Sequence, residues 1–320
     1  MIVSFEREGL PAPPAGGSIV SVGVFDGVHL GHQAILAENV AHARSLTALP
    51  TVVTFRHHPK QVLLGHAPRT LTSLEHRLEL FRRAGIAHTV VLSFDEALRN
   101  VPAAEFAREF LADGLGARRF VLGFDNKFGR GREGTPERLR EWGYDVVVVP
   151  KVLVAERPVS STAIREAVEL GDLAGAARML GRPVAVYGDV VPGDGRGRTI
   201  GFPTANLDLH HELHPPPGVY ACRARLLPRG LTGPANDPGQ RRHPAVANVG
   251  YRPTFAASGA ERGVAPLVEV HLLDFSGDLY GEHLELEFHA FLRAERRFPD
   301  LDALRAAIGR DVERAKSLLR

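Results

Sequence analysis

The chain has 320 residues, 44% of them hydrophobic and 24% charged, which is the composition of a soluble globular protein and long enough for two domains. Lys and Arg together number 39 against 37 Asp and Glu, a net charge of +2, too balanced for a protein whose main task is to grip nucleic acid. The single cysteine, Cys222, excludes an intrachain disulfide framework, and no signal peptide or run of about 18 apolar residues is present, so a cytoplasmic protein with no membrane partner is expected.

In the first half, β-branched runs at 19–24, 51–55, 88–92, 120–123 and 145–149 predict buried strands. Helical spacing at 32–44, 74–84 and 103–111 lies between them. The alternation predicts an α/β domain, a Rossmann-like doubly wound parallel sheet over residues 1–183. Such sheets bind ligands beyond the carboxyl ends of their strands, so the loops after Val24, Phe55 and Leu122 are the candidate sites.

From 184 to 320 the texture changes to short strands broken by Gly and Pro, at 184–191, 218–226, 245–249, 268–273 and 283–288. That pattern predicts a small antiparallel β-barrel or sandwich. Residues 229–244 and 256–266 read as long exposed loops. Leu301, Leu304, Ile308, Val312, Ala315 and Leu319 form an apolar stripe, so the chain ends in an amphipathic helix packed on the barrel. Glu282, Glu285 and Glu287 alternate with apolar residues and read as the wet face of a strand.

The segment 23–32, GVFDGVHLGH, runs from a strand end into a helix and sets His29 and His32 three residues apart at the helix N-terminus. Exposed amides there favour phosphate, and the two imidazoles can donate to oxygens that gain charge at a five-coordinate phosphorus. The alternative is a turn in which both rings are satisfied by the protein. A metal reading fails for want of a third ligand at a natural spacing. The segment 159–165, VSSTAIR, places the hydroxyls of Ser160, Ser161 and Thr162 at a helix start, with Arg165 one turn on to clamp phosphate oxygens. A plain N-cap is the competing reading for the serines.

Together, these two elements resemble the nucleotidyltransferase superfamily. The resemblance implies ATP binding through Gly23, Phe25, Asp26, Gly31, Ser160, Ser161 and Thr162, and catalysis by His29, His32 and Arg165. The segment 122–131, LGFDNKFGRG, resembles the flavin loop of the FMN-adenylylating branch, and TFRHHP at 54–59 its substrate loop. Phe55, His58, Pro59, Asp125, Asn126 and Phe128 are the flavin-binding residues so implied, Asn126 standing where that branch more often has an aromatic.

The segment 193–206, GDGRGRTIGFPTAN, joins glycines that can fold amides over a phosphate chain to a polar tetrad. It is not a Walker A sequence. Thr204 and Asn206 offer oxygen ligands suited to Mg²⁺, and Gly193, Gly195, Arg198 and Gly201 contacts to ATP phosphates. The string resembles the riboflavin kinase signature, and the likeness continues through PGVY at 217–220, NVGYRPTF at 248–255 and VEVHLLDF at 268–275. In that family the position of Glu269 is the catalytic base, while His271 reads as its neighbour.

The two halves stand in the order of the bifunctional prokaryotic FAD synthetase family. That family phosphorylates riboflavin to FMN and adenylylates FMN to FAD, with ATP as substrate and Mg²⁺ in both reactions. The implied partners are riboflavin, FMN and ATP, with no nucleic acid; a weak homo-oligomer is left open. A different nucleotidyltransferase fused to an unrelated barrel, and a non-catalytic flavin or nucleotide sensor, are the alternative readings.

Overall fold

The strands of the first half are short and rich in Val, and they pair side by side in parallel because helices return the chain from one end of the sheet to the other. In the computed structural model they are β1 (Ile2–Phe5), β2 (Ser18–Val22), β3 (Leu49–Phe55), β4 (His88–Leu92), β5 (Ala117–Gly123) and β6 (Val146–Val149). The structure describes residues 1–7, 9–192, 197, 200–209, 212–227, 242–253 and 264–320, so Gly193, Gly195 and Arg198 lie outside the described residues.

Sheet order is β1-β4-β3-β2-β5-β6, and the direction of winding reverses between β2 and β5. α1 (Leu30–Ser45) covers one face, where Ile19, Val121 and Val149 pack with Ala43. On the other face Val20, Val53, Val90, Phe120 and Leu122 meet Phe106, Phe110 and Leu111. This is the doubly wound sheet that the alternation of apolar runs predicts. Asn39 of α1 locks the helix to the sheet by donating from Nδ2 to Ile19 O, Thr51 O and Ser21 Oγ.

Two features differ from the sequence reading. β1 is an edge strand paired with β4 that the polar N-terminus hid. The helix expected at 103–111 starts as Ala103–Glu105 and continues as a π-helix, Phe106–Gly114, with the wider i→i+5 turn.

Beyond a two-stranded hairpin of β7 (Leu153–Val154) and β8 (Arg157–Pro158), the strands β9 (Val184–Val191), β10 (Ala205–Asp208), β11 (Gly218–Leu227), β12 (Arg242–Pro253), β13 (Val264–Leu272) and β14 (His283–Arg293) close into an antiparallel barrel in the order β10-β13-β12-β11-β14-β9. β12 and β13 reach into the ends of the two stretches expected to be loops, of which 229–241 and 256–263 lie outside the described residues. The C-terminal helix Leu301–Leu318 is capped by Asp300, whose carboxylate accepts from Ala303 N. Its Val312 and Ala315, with Leu319 just beyond, pack on Val219, Ala221 and Val246 outside the barrel.

The wet-face reading of β14 is overturned. Glu285 is 1% exposed and Glu287 7% exposed. Arg225 on β11 pairs with Glu285, and Arg242 on β12 with Glu287, so that face is an ion-paired layer and not a solvated one. By contact the chain divides into two units, Met1–Ser161 and Thr162–Arg320. No described helix is long and apolar enough to cross a membrane.

Candidate functional site

The turn between β2 and α1 is built around three left-handed residues: Phe25 (φ 53°), Gly27 (φ 81°) and Val28 (φ 37°). Two of these carry side chains, so the turn persists only because its surroundings over-determine it. Asp26 supplies much of that support. It is buried, and its carboxylate accepts from Leu71 N, Thr72 N and Thr72 Oγ1, while Thr72 Oγ1 accepts from Gly27 N. The expected ATP residue Asp26 therefore binds protein with its side chain, and its main-chain oxygen accepts from Ser161 Oγ at 2.9 Å.

His29 caps α1: its Nδ1 accepts from His32 N at 3.4 Å, which leaves the ring proton on Nε2. The two imidazoles are stacked, with centroids 3.6 Å apart and planes 16° apart. Phe25 sets its edge against His32 at 5.2 Å and against Phe81 at 5.5 Å, so it serves as the floor of the histidine pair. Gly31 is required for the same reason, since a Cβ there would lie 3.2 Å from the His29 ring. Gly23 likewise makes room for Phe25.

The flavin loops expected from sequence end the neighbouring strands. Phe55, the last residue of β3, packs edge-on against Phe94 at 5.7 Å. His58 accepts from Lys60 N, and Pro59 opens the short helix α2 (Lys60–Leu64). Beyond β5, Asp125 is exposed, and Asn126 turns inward to donate to Val22 O at 2.6 Å. Phe128 is only 8% exposed and packs with Phe106, so its ring belongs to the core. Ser161 begins the helix Ser161–Glu169, on which Thr162 and Arg165 lie in the first turn and a half, with Ser160 just before it.

The second candidate site is a cavity of about 490 Å³ in the barrel unit, lined by Thr204, Asn206, Asn248, Glu269, His271 and Glu295 among others. Strand register explains the grouping. Glu269 on β13 pairs with Asn206 on β10 to one side and with Asn248 on β12 to the other. Residues 63 apart in sequence thus become direct cross-strand neighbours, as a common site for Glu269 and Asn206 requires. His271 donates from Nδ1 to Pro203 O at 2.7 Å and meets the Phe202 ring edge-on, which ties the turn before β10 to β13. Gly201 sits in that turn with φ 86°, a conformation that suits glycine.

Among the cavity residues that sequence reasoning missed are Asn248, Arg293, Glu295 and Asp311. Asn248 donates to Glu295 Oε1 at 2.9 Å, and Arg293 clamps Asp311 across the barrel and C-terminal helix. Only Asn248 left a signal, as the first residue of a motif block. Asn206 is 6% exposed, and its Oδ1 has no hydrogen-bond partner among the described residues. Such an oxygen is an acceptor in search of a donor or a cation.

The FAD synthetase family matches residues 13–163, and the riboflavin kinase family matches residues 180–319. The bifunctional riboflavin kinase/FMN adenylyltransferase of Escherichia coli K12 is 36% identical over 94% of this chain and 93% of its own. That of Pseudomonas fluorescens is 38% identical over 96% and 94%. A crystal structure from Streptococcus pneumoniae, described as a macrolide-efflux protein, superposes with a TM-score of 0.80 at 29% identity and covers 99% of both chains.

Proposed function

This chain belongs to the bifunctional riboflavin kinase/FMN adenylyltransferase family, and from that premise we propose how its residues divide the work. The C-terminal half phosphorylates riboflavin with ATP to give FMN and ADP. The N-terminal half then adenylylates FMN with a second ATP to give FAD and pyrophosphate. We take residues 1–183 as the adenylylating half and 184–320 as the kinase half, because the hydroxyls and cation at 160–165 serve phosphate chemistry of the first kind.

In the kinase half Glu269 is the general base. A primary alcohol must lose a proton as it attacks the γ-phosphorus, and a carboxylate within hydrogen-bond reach can take it. The observation that carries this assignment is the register Asn206, Glu269, Asn248 across three adjacent strands on one cavity wall. The donor set suits Mg²⁺: the uncommitted Asn206 Oδ1 and the Thr204 hydroxyl are hard oxygen ligands. Mg²⁺ bound there would offset the charge of the triphosphate. Thr204 and Asn206 would hold it, Gly193, Gly195, Arg198 and Gly201 would meet the phosphate chain, and His271 keeps the turn at Pro203 in place.

In the adenylylating half the nucleophile is the phosphate of FMN, already an anion at neutral pH, so positioning and charge stabilisation replace a base. His29 and His32 donate to the α-phosphate oxygens as charge builds. Arg165, with Ser160, Ser161 and Thr162, holds the rest of the triphosphate, for which Mg²⁺ would serve as counterion. Gly23, Phe25, Asp26 and Gly31 shape the turn that presents these groups. Flavin is received by the loops at Phe55, His58 and Pro59 and at Asp125 and Asn126, with Phe128 fixing the second loop from the core.

The experiment is a time course of purified protein with riboflavin, ATP and Mg²⁺, followed by flavin chromatography. FMN rises first, then FAD, with one pyrophosphate released per FAD. Accumulation of FMN alone, or of neither product, would refute the assignment.

A further inference from the structure

We infer that Arg77 is a positioning residue for adenylyl transfer, a buried fork that holds the histidine turn and the Phe55 loop at a fixed spacing. The inference rests on the adenylyltransferase reading of the N-terminal half. Arg77 lies on α3 (Leu74–Arg83) and is 5% exposed, although a helical arginine without a task inside would extend its head into water.

Three hydrogen bonds of its guanidinium lie at the carboxyl ends of β2 and β3. Nη1 donates to Val24 O at 2.6 Å and to Thr54 Oγ1 at 3.4 Å, and Nη2 donates to Phe55 O at 2.9 Å. Val24 leads directly into the left-handed Phe25 and on to His29 and His32. Phe55 leads into the loop 55–59. One planar group therefore spans the roots of both substrate loops.

The residues just before α3 brace the same turn from the other side. Leu71 N, Thr72 N and Thr72 Oγ1 hold the Asp26 carboxylate, and Thr72 Oγ1 takes the Gly27 amide. The Phe25–Val28 turn stores backbone strain, so its position depends on these outside restraints. Arg77 also reaches the Phe55 loop, and a lysine could not replace it because one ammonium lacks the rigid fork that serves two carbonyls at once.

Each loop keeps its own binding groups when Arg77 is changed, and what is lost is their mutual alignment. Misplacement of about 1 Å is enough to slow an in-line transfer strongly. The test uses the full chain as Arg77→Lys and Arg77→Gln. FAD formation from supplied FMN is measured with its kcat and both KM values, beside riboflavin phosphorylation and thermal unfolding.

The expected result is a kcat for FAD formation reduced at least tenfold, with KM for FMN and for ATP within threefold and riboflavin phosphorylation within twofold of the parent. An unchanged kcat overturns the inference. So does a rise in KM at constant kcat, which would make Arg77 a binding group, and so does loss of cooperative unfolding in both variants, which would make its role structural. If the unchanged protein fails to make FAD from FMN, the adenylyltransferase reading falls and not merely this inference.

Discussion

His29 illustrates how one side chain serves fold and function together. Because Nδ1 is engaged as the cap of α1, the ring offers a proton only from Nε2, and it stacks on His32. Substituting His32 by Ala removes a donor to the developing charge. FAD formation from FMN should fall about 100-fold or more, with FMN formation from riboflavin unchanged, as separate assays of the two steps will show. His88 carries a different signal. Burial lowers its pKa below the usual histidine value, so the unfolded chain binds a proton that the folded one resists. Stability is then lost as pH falls through about 6.5, the unfolded value. Thermal midpoints between pH 8 and pH 5 should show the loss, and His88→Gln should flatten it. Cys222 is fully buried, and burial pushes its thiol well above the ordinary range. A thiol reagent at neutral pH should therefore modify it only in denaturant.

At the scale of elements, the central strands of the parallel sheet were legible because parallel strands are buried on both faces and read as plain apolar runs. β4 falls where its run of β-branched residues predicts, at His88–Leu92. β10 was not legible, since Ala205–Asp208 is short and lies inside a polar motif, yet that strand is what sets Asn206 beside Glu269. β14 was misread for a physical reason. Period-two glutamates on a strand look solvated in one dimension, and only the closed barrel reveals that Arg225 on the neighbouring strand and Arg242 one strand further pair with them. Replacing Arg225 by Met removes the guanidinium from a buried carboxylate. Chemical denaturation should register a loss of about 3 kcal/mol. Among site residues, His29, His32, Thr204, Asn206 and Glu269 stood out because their motifs are dense in unusual neighbours. Arg77 gave no such signal, because a lone arginine on a helix reads as surface until the fold buries it.

For the whole molecule, the near-neutral charge of +2 suits a protein whose ligands are small molecules and not an extended polyanion. On the proposed reading, the two halves solve different chemical problems with different side chains. An alcohol nucleophile needs a base, and the barrel cavity offers Glu269 between two asparagines. A phosphate nucleophile needs none, and the loop after β2 offers imidazoles at a helix N-terminus. The division of labour is the central claim, and Glu269→Gln tests it most directly when riboflavin and FMN are supplied in separate assays with ATP and Mg²⁺. FMN formation from riboflavin should drop by about 10²- to 10⁴-fold while FAD formation from FMN stays within twofold of the parent. Loss of both activities in a folded variant, or retention of riboflavin phosphorylation, would contradict it.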